Sequence, residues 1–442
     1  MIRAVFSALI AVTLALPALT QPARAEVEIQ EVKTPGGLTA WLVEEHSIPF
    51  TALEIWFRGG TSIDRPGKRG AINLMTATLE EGAGDLDALA FTRAKEALAA
   101  SFKYDVGDDT LSVSAKFLSE NRDQAVALLR ESLINPRFDQ DAIDRVRGQV
   151  LSIIRSDQKD PNDIAGNAFN AMAFGDHPYG TDSNGTLDSV AALTRDDILQ
   201  AHQDSMVRDR MYIGAVGDIT PEELSALLDD LLGDLPPSGP ALPETIEPAL
   251  TGGVTVVPFD TPQSVALFGH SGVARDSEDF FPAYLLNTIL GGGGFESRLM
   301  TEVREKRGLT YGVYSFIVDK DHADMWMGQV QSANGRIADA IDVIRQQWAE
   351  IAENGVTEEE LIAAKKYMTG AYPLRFDGNG PIANIITGMQ IENMPLDYPA
   401  TRNDKVNAVT LEQVNDVARR YLRPDALRFV VVGQPEGLTS TN

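Results

Sequence analysis

Apolar residues recur at helical spacing through "QAVALLRESLINPRFDQDAIDRVRGQVLSIIRS" (124–156), break at an acidic turn and resume. That pattern predicts two amphipathic helices in succession, the second opened by an acidic cap region. The stretch "DAIDVIRQQWAEIAENGVTEEELIAAKKYMTGA" (339–371) repeats the layout. Upstream of each pair lie two strand-like runs and a turn, in "TAWLVEEHSIPFTALEIWFRGGTSIDRPG" (39–67) and "GVTVVPFDTPQSVALFGHSGVARDSEDF" (253–280). Each half also closes alike, with a capped helix, a basic turn and a short apolar strand: "LTRDDILQAHQDSMVRDRMYIGAVGDI" (193–219) and "VTLEQVNDVARRYLRPDALRFVVVGQP" (409–435). Self-similarity on this scale predicts an α+β protein of two homologous domains, each a mostly antiparallel sheet packed with helices. Between them "LPPSGPALPETIEPALTG" (235–252) is proline-rich without apolar periodicity, and reads as an extended, semi-rigid linker. The expected domains are 26–234 and 253–436, with a cleft or chamber between them and a loose six-residue tail.

The first 25 residues stand outside that scheme. Arg3 precedes an apolar run, and "ARA" (23–25) is a small-x-small cleavage site before Glu26. The pattern predicts a signal peptide cleaved after Ala25, and a periplasmic or secreted protein. No later segment is apolar for long enough to span a bilayer. The 442 residues include no cysteine, which removes disulfides, thiolate metal sites and cysteine nucleophiles. A formal charge of −26 argues against nucleic acid and anionic membranes as partners.

Histidine is scarce as well. No two of His46, His177, His202, His270 and His322 are spaced i, i+4, so no local pair of imidazoles is available for zinc. His177, in "GDHPYG", reads as a solvated or capping residue, and nothing gives reason to expect distant histidines to converge. There is no G-x-S-x-G elbow and no P-loop. "GGGG" (291–294) lacks a phosphate-loop ending and reads as a turn for close backbone approach. After it, "ESRLMTEVREKR" is helix-prone, Gly308 is a stop, and "TYGVYSF" is strand-like. Arg304 thus falls late in a helix and Tyr311 just inside the next strand. A guanidinium and a phenol converging there could hold a peptide carbonyl or a developing oxyanion. Composition alone leaves the plainer reading open, a solvated arginine and a core-edge tyrosine.

Four segments carry a resemblance: "GGTSIDRPGKRGAINLM", "RVRGQVLSIIRSDQKDPND", "FGDHPYGTDSNGT" and, most specifically, "SRLMTEVREKRGLTYGVYS". The chain resembles the pitrilysin/insulinase family of inverted-motif zinc peptidases, in its two-domain bacterial and mitochondrial-processing branch. The resemblance places that family's H-x-x-E-H motif on Asn73, Leu74, Met75, Thr76 and Ala77, and its third zinc ligand at about Ile153. Asn73, Thr76, Ala77 and Ile153 therefore stand where two histidines and two glutamates would be. This chain is accordingly expected to bind no metal and to do no zinc chemistry. Arg304 and Tyr311, by contrast, match the family's arginine/tyrosine pair, which contacts the substrate backbone. The resemblance thus implies a non-catalytic, substrate-positioning subunit whose homologous H-x-x-E-H partner carries the zinc. Its substrates would be peptides or unfolded segments; the alternative is an inert peptide-binding or scaffold protein.

Overall fold

The computed structural model describes residues 27–441. The signal-peptide reading and its cleavage site lie outside the described residues. The first half contains β1 (Gln30–Lys33), β2 (Thr39–Glu44), β3 (Phe50–Arg58), α1 (Ala71–Thr78), a short ribbon β4 (Gly82–Ala83) and β5 (Leu86–Asp87), and α2 (Ala88–Ala97). It continues through β6 (Ser101–Val106), β7 (Thr110–Leu118), α3 (Arg122–Ile134), α4 (Gln140–Asp157), α5 (Pro161–Phe174), α6 (Leu187–Ala191), α7 (Arg195–Ser205), β8 (Met211–Gly217) and α8 (Pro221–Leu232). The second half runs β9 (Gly253–Pro258), β10 (Gln263–Ser271), α9 (Phe280–Asn287), β11 (Val313–Lys320) and β12 (Ala323–Ala333). Then follow α10 (Ile337–Asn354), α11 (Glu358–Ala371), α12 (Asn379–Ile391), α13 (Tyr398–Ala408), α14 (Leu411–Tyr421) and β13 (Arg428–Gly433).

The two sheets have one topology. The first is ordered β1-β2-β8-β3-β7-β6 and the second β11-β12-β10-β13-β9. Read from the opposite edge, β9-β13-β10-β12-β11 matches β2-β8-β3-β7-β6, strand for strand. The one parallel pair falls at the same place in each, β2 with β8 and β9 with β13, and every other pairing is antiparallel. The fold is therefore α+β, built from two homologous domains. Helices of its own half cover one face of each sheet. On the first sheet these bury Leu53, Ile55 and Phe57 against Leu74, Leu129 and Ile143. On the second they bury Ala266 and Phe268 against Ile344, Trp348 and Val417.

The other face of each sheet is covered by a helix from the opposite half. Ala165, Phe169 and Ala173 of α5 pack on Val265, Met325, Met327, Val430 and Val432 of the second sheet. Ala383, Ile386 and Met389 of α12 pack on Trp41, Ala52 and Val216 of the first. The exchange interlocks the halves.

Two segments read as loose or extended are tied down. Along the linker, the Ile246 amide donates to the His322 carbonyl and the Ala249 amide to the Ala173 carbonyl, both at 2.8 Å. The tail after residue 436 is not loose, as expected, but bonded to β9. Ser440 and Thr441 hydroxyls accept from the Val256 and Val254 amides at 2.9 and 2.8 Å, and Leu438 packs on the second core. Two short hydroxylated side chains let an edge strand fasten a segment with no periodicity to announce it. Among the described residues, no helix is long and apolar enough to cross a membrane.

Candidate functional site

The helix at the degenerate motif is held rigidly. Gly70 caps α1 in the left-handed conformation (φ 89°), packed against the Asn184 backbone where a Cβ would not fit. The Asp64 carboxyl accepts from the Gly70 and Ile72 amides at 2.8 and 2.9 Å, and burial pushes its pKa up to about 6. Arg69 donates to the Thr181 and Asp182 carbonyls, both at 3.0 Å, fastening the loop 181–186 over the helix. Asn73 then donates to Asn184 Oδ1 at 3.0 Å, and Asn184 Nδ2 lies 3.5 Å from Asp157 Oδ2 at the end of α4. Thr76 is buried and turns its hydroxyl back to the Ile72 carbonyl at 2.8 Å. Ala77 is exposed, and Ile153 is half exposed on α4. An amide, a hydroxyl bonded to its own helix, a methyl and an aliphatic chain offer no zinc-ligand set, so these positions do not fit the metal. Asp157 is the one carboxylate nearby on α4. Burial, followed by Asp182 and Asp160, raises its pKa.

Arg304 and Tyr311 do come together. Both line one surface hollow of about 620 Å³, with Gln331 and Arg336 on its wall. Arg304 lies in a π-helical turn, Met300–Glu305, in place of the regular helix expected there. Tyr311 is not inside the strand: β11 begins at Val313, and Tyr311 sits on the preceding bend, 87% exposed. The Thr310 hydroxyl delays the strand by accepting from the Gly312 amide at 3.0 Å while donating to the Gln331 carbonyl at 2.6 Å. The hollow opens on the sheet face that α5 covers elsewhere. Met325, Met327, Gln329 and Gln331 alternate along that face of β12, and Gln329 donates to Asn162 at the start of α5 at 2.8 Å. Gln329 thus ties the face on which the hollow opens to the start of α5, the helix that follows α4.

One convergence was not legible in the sequence. The turns β6–β7 and β11–β12, topological equivalents, meet between the halves. The Tyr179 hydroxyl donates to Asp109 and Lys320 pairs with Asp108. Arg58 Nε lies 3.1 Å from Asp321 Oδ2, and the His177 and His322 rings approach to 6.2 Å. His177 caps the turn Pro178–Gly180, its Nδ1 accepting from the Tyr179 amide at 3.2 Å. Burial lowers the pKa of both histidines and raises that of Asp321. Asp109, Asp321 and His322 are the grouping, among the described residues, whose ligand-type atoms lie within 4.8 Å of one another. Arg58 with Asp321 and Lys320 with Asp108 place ion pairs between the halves at this point.

Residues 40–186 match the model for insulinase (peptidase family M16), and residues 192–368 match that for the peptidase M16 inactive domain. The chain belongs to the M16 family. A non-peptidase homologue, YmxG, from Helicobacter pylori is 27% identical over 407 residues, spanning 92% of this chain and 93% of that one. An uncharacterized zinc protease of Mycobacterium leprae is 29% identical over 88% of each. Among solved structures, an M16 inactive domain from Pseudomonas fluorescens superposes with a TM-score of 0.86 at 28% identity, covering 94% of this chain and all of that one. At Asn73, Thr76, Ala77 and Ile153, where the resemblance places the family's metal and catalytic positions, this chain carries neither histidine nor carboxylate.

Proposed function

We propose that this M16 chain is the substrate-positioning subunit of a heteromeric zinc peptidase acting outside the cytoplasm on peptides or unfolded segments. A homologous partner with an intact H-x-x-E-H motif supplies the metal. The observation that carries this reading is the shared hollow: Arg304 and Tyr311 line it together, while the motif on α1 keeps its helix and none of its ligands. In that role the guanidinium and the phenol hold the carbonyl side of a bound peptide and offer donors to the charge that develops on it. They contribute only when the partner closes over the substrate. Loss of such a donor costs on the order of 3 kcal/mol of barrier.

The test is purification of the tagged mature chain from its native envelope fraction, followed by chelator-sensitive cleavage of quenched peptides. Activity that co-purifies with a second, zinc-containing chain supports the reading. In that complex, Arg304→Ala and Tyr311→Phe should lower kcat/KM without dissociating the chains, and unchanged turnover would sink the positioning role. A chain recovered alone and inert would favour the second reading, an inert peptide-binding or scaffold protein. The Helicobacter relative's name as a non-peptidase homologue supports that alternative.

A further inference from the structure

The second half has its own version of the cleft that holds the degenerate motif. There α9 stands where α1 does, the α11–α12 junction replaces α4–α5, and α13 takes the place of α6 with the loop before it. That junction lines a half-open cavity of about 380 Å³, within the range of small-ligand sites. Phe280, Tyr284, Tyr372 and Tyr398 wall it, and Trp56 closes it from the first half.

Its charges are unevenly paired. Arg275, over the Phe280 ring at 4.8 Å, donates to Asp319 at 3.3 Å and lies 3.7 Å from Glu392. Those two carboxylates of the lining are thus engaged. Arg402 is 6% exposed and lies over the Tyr372 ring at 4.4 Å. Its Nη1 donates to the Met368 carbonyl at 3.0 Å and to Asn403 Oδ1 at 3.1 Å. Among the described residues, no carboxylate lies within ion-pair distance of it. Arg375 adds another guanidinium at the rim. The Tyr372 hydroxyl, on a side chain 7% exposed, is buried without a hydrogen-bond partner. A buried guanidinium lacking a counter-charge beside a buried hydroxyl lacking an acceptor is an arrangement that an anion completes.

We propose that this pocket binds an aromatic carboxylic acid, its carboxylate on Arg402 and the Tyr372 hydroxyl and its ring among Tyr284, Tyr398 and Trp56. The acid is either the C-terminal residue of a peptide or a small free molecule; both present the same chemistry. The site uses neither Arg304 nor Tyr311, so it stands whatever becomes of the positioning role.

Calorimetry on the purified mature chain tests it with paired probes: N-acetyl-tryptophan against its amide, and a ten-residue peptide ending in phenylalanine as free acid against the C-terminal amide. The acids should bind about tenfold or more tighter than the amides, as one charge-assisted contact implies. Tyr372→Phe, which keeps the ring under Arg402, should weaken the acids several-fold and leave the amides unchanged. Arg402→Met should abolish the distinction; should that variant fail to fold, Tyr372→Phe carries the test. Tighter binding of the peptide than of the small acid assigns the pocket to chain termini, and the reverse assigns it to free acids. Equal binding of acids and amides, no binding of any probe at millimolar concentration, or acid affinity unmoved by Tyr372→Phe would overturn the proposal.

Discussion

His270 lies in the core of the second half, with Nδ1 2.7 Å from the Ser271 carbonyl and Nε2 accepting the Trp348 indole N–H at 2.9 Å. With Nδ1–H donating to the carbonyl, acceptance at Nε2 requires the neutral ring, and burial depresses its pKa to about 4. A folded-state value below the unfolded one means that the stabilising contribution is complete above about pH 6.5 and drains away as pH falls toward 4. The full shift corresponds to on the order of 3 kcal/mol. Thermal unfolding across pH 7 to 4 should show this loss, and His270→Gln should flatten the dependence while lowering stability at neutral pH. An unaltered pH profile in the variant would exclude His270 as the titrating group. Nothing in the local sequence marked it, because "FGHSG" reads as a strand whether or not an indole waits 78 residues away. That Arg304 and Tyr311 would face one hollow was legible because their spacing spans a single junction; the strand starts three residues later than read, at Val313, where the Thr310 hydroxyl bonds the Gly312 amide.

At the level of elements, apolar periodicity located the helix pairs and the closing helix–strand units of both halves, since each buries one face against its own sheet. It could not say which sheet receives α5 or α12. A stripe such as Ala165, Phe169 and Ala173 demands cover without naming what provides it. The docking depends on small residues in the sheets. A Cβ at Gly214 on β8 would strike the Thr387 hydroxyl and come within 2.7 Å of the Ala383 carbonyl, both on α12. Gly214→Val should therefore lift α12 from the first sheet at a cost of about 1–3 kcal/mol. The loss should appear as a lower midpoint in denaturant and faster amide exchange across β8 and β3. A variant as stable as the parent would mean that α12 contributes little to holding the sheet.

For the whole molecule, the repeat in the sequence foretold two like sheets, but not the ion pairs where their equivalent hairpins meet. Asp109 and Asp321 are 212 residues apart, a separation no local pattern records. The crossed helices lead to a sharper prediction. Residues 27–252 expressed alone leave the α12-binding face of the first sheet bare, and 253–441 leave the α5-binding face of the second bare. Each fragment should aggregate, and co-expression should yield a soluble complex of both. Two soluble, independently folded fragments would refute the interdependence. The same geometry bears on ancestry. A single unduplicated half could have covered the second face of its sheet only by lending its exchanged helix, the counterpart of α5 and α12, to an identical copy, so the forerunner is best pictured as a domain-swapped homodimer with two equal clefts. In such a pair the two clefts would have been identical; within one chain they differ, with Asn73 and Ala77 beside one and arginines and tyrosines lining the other.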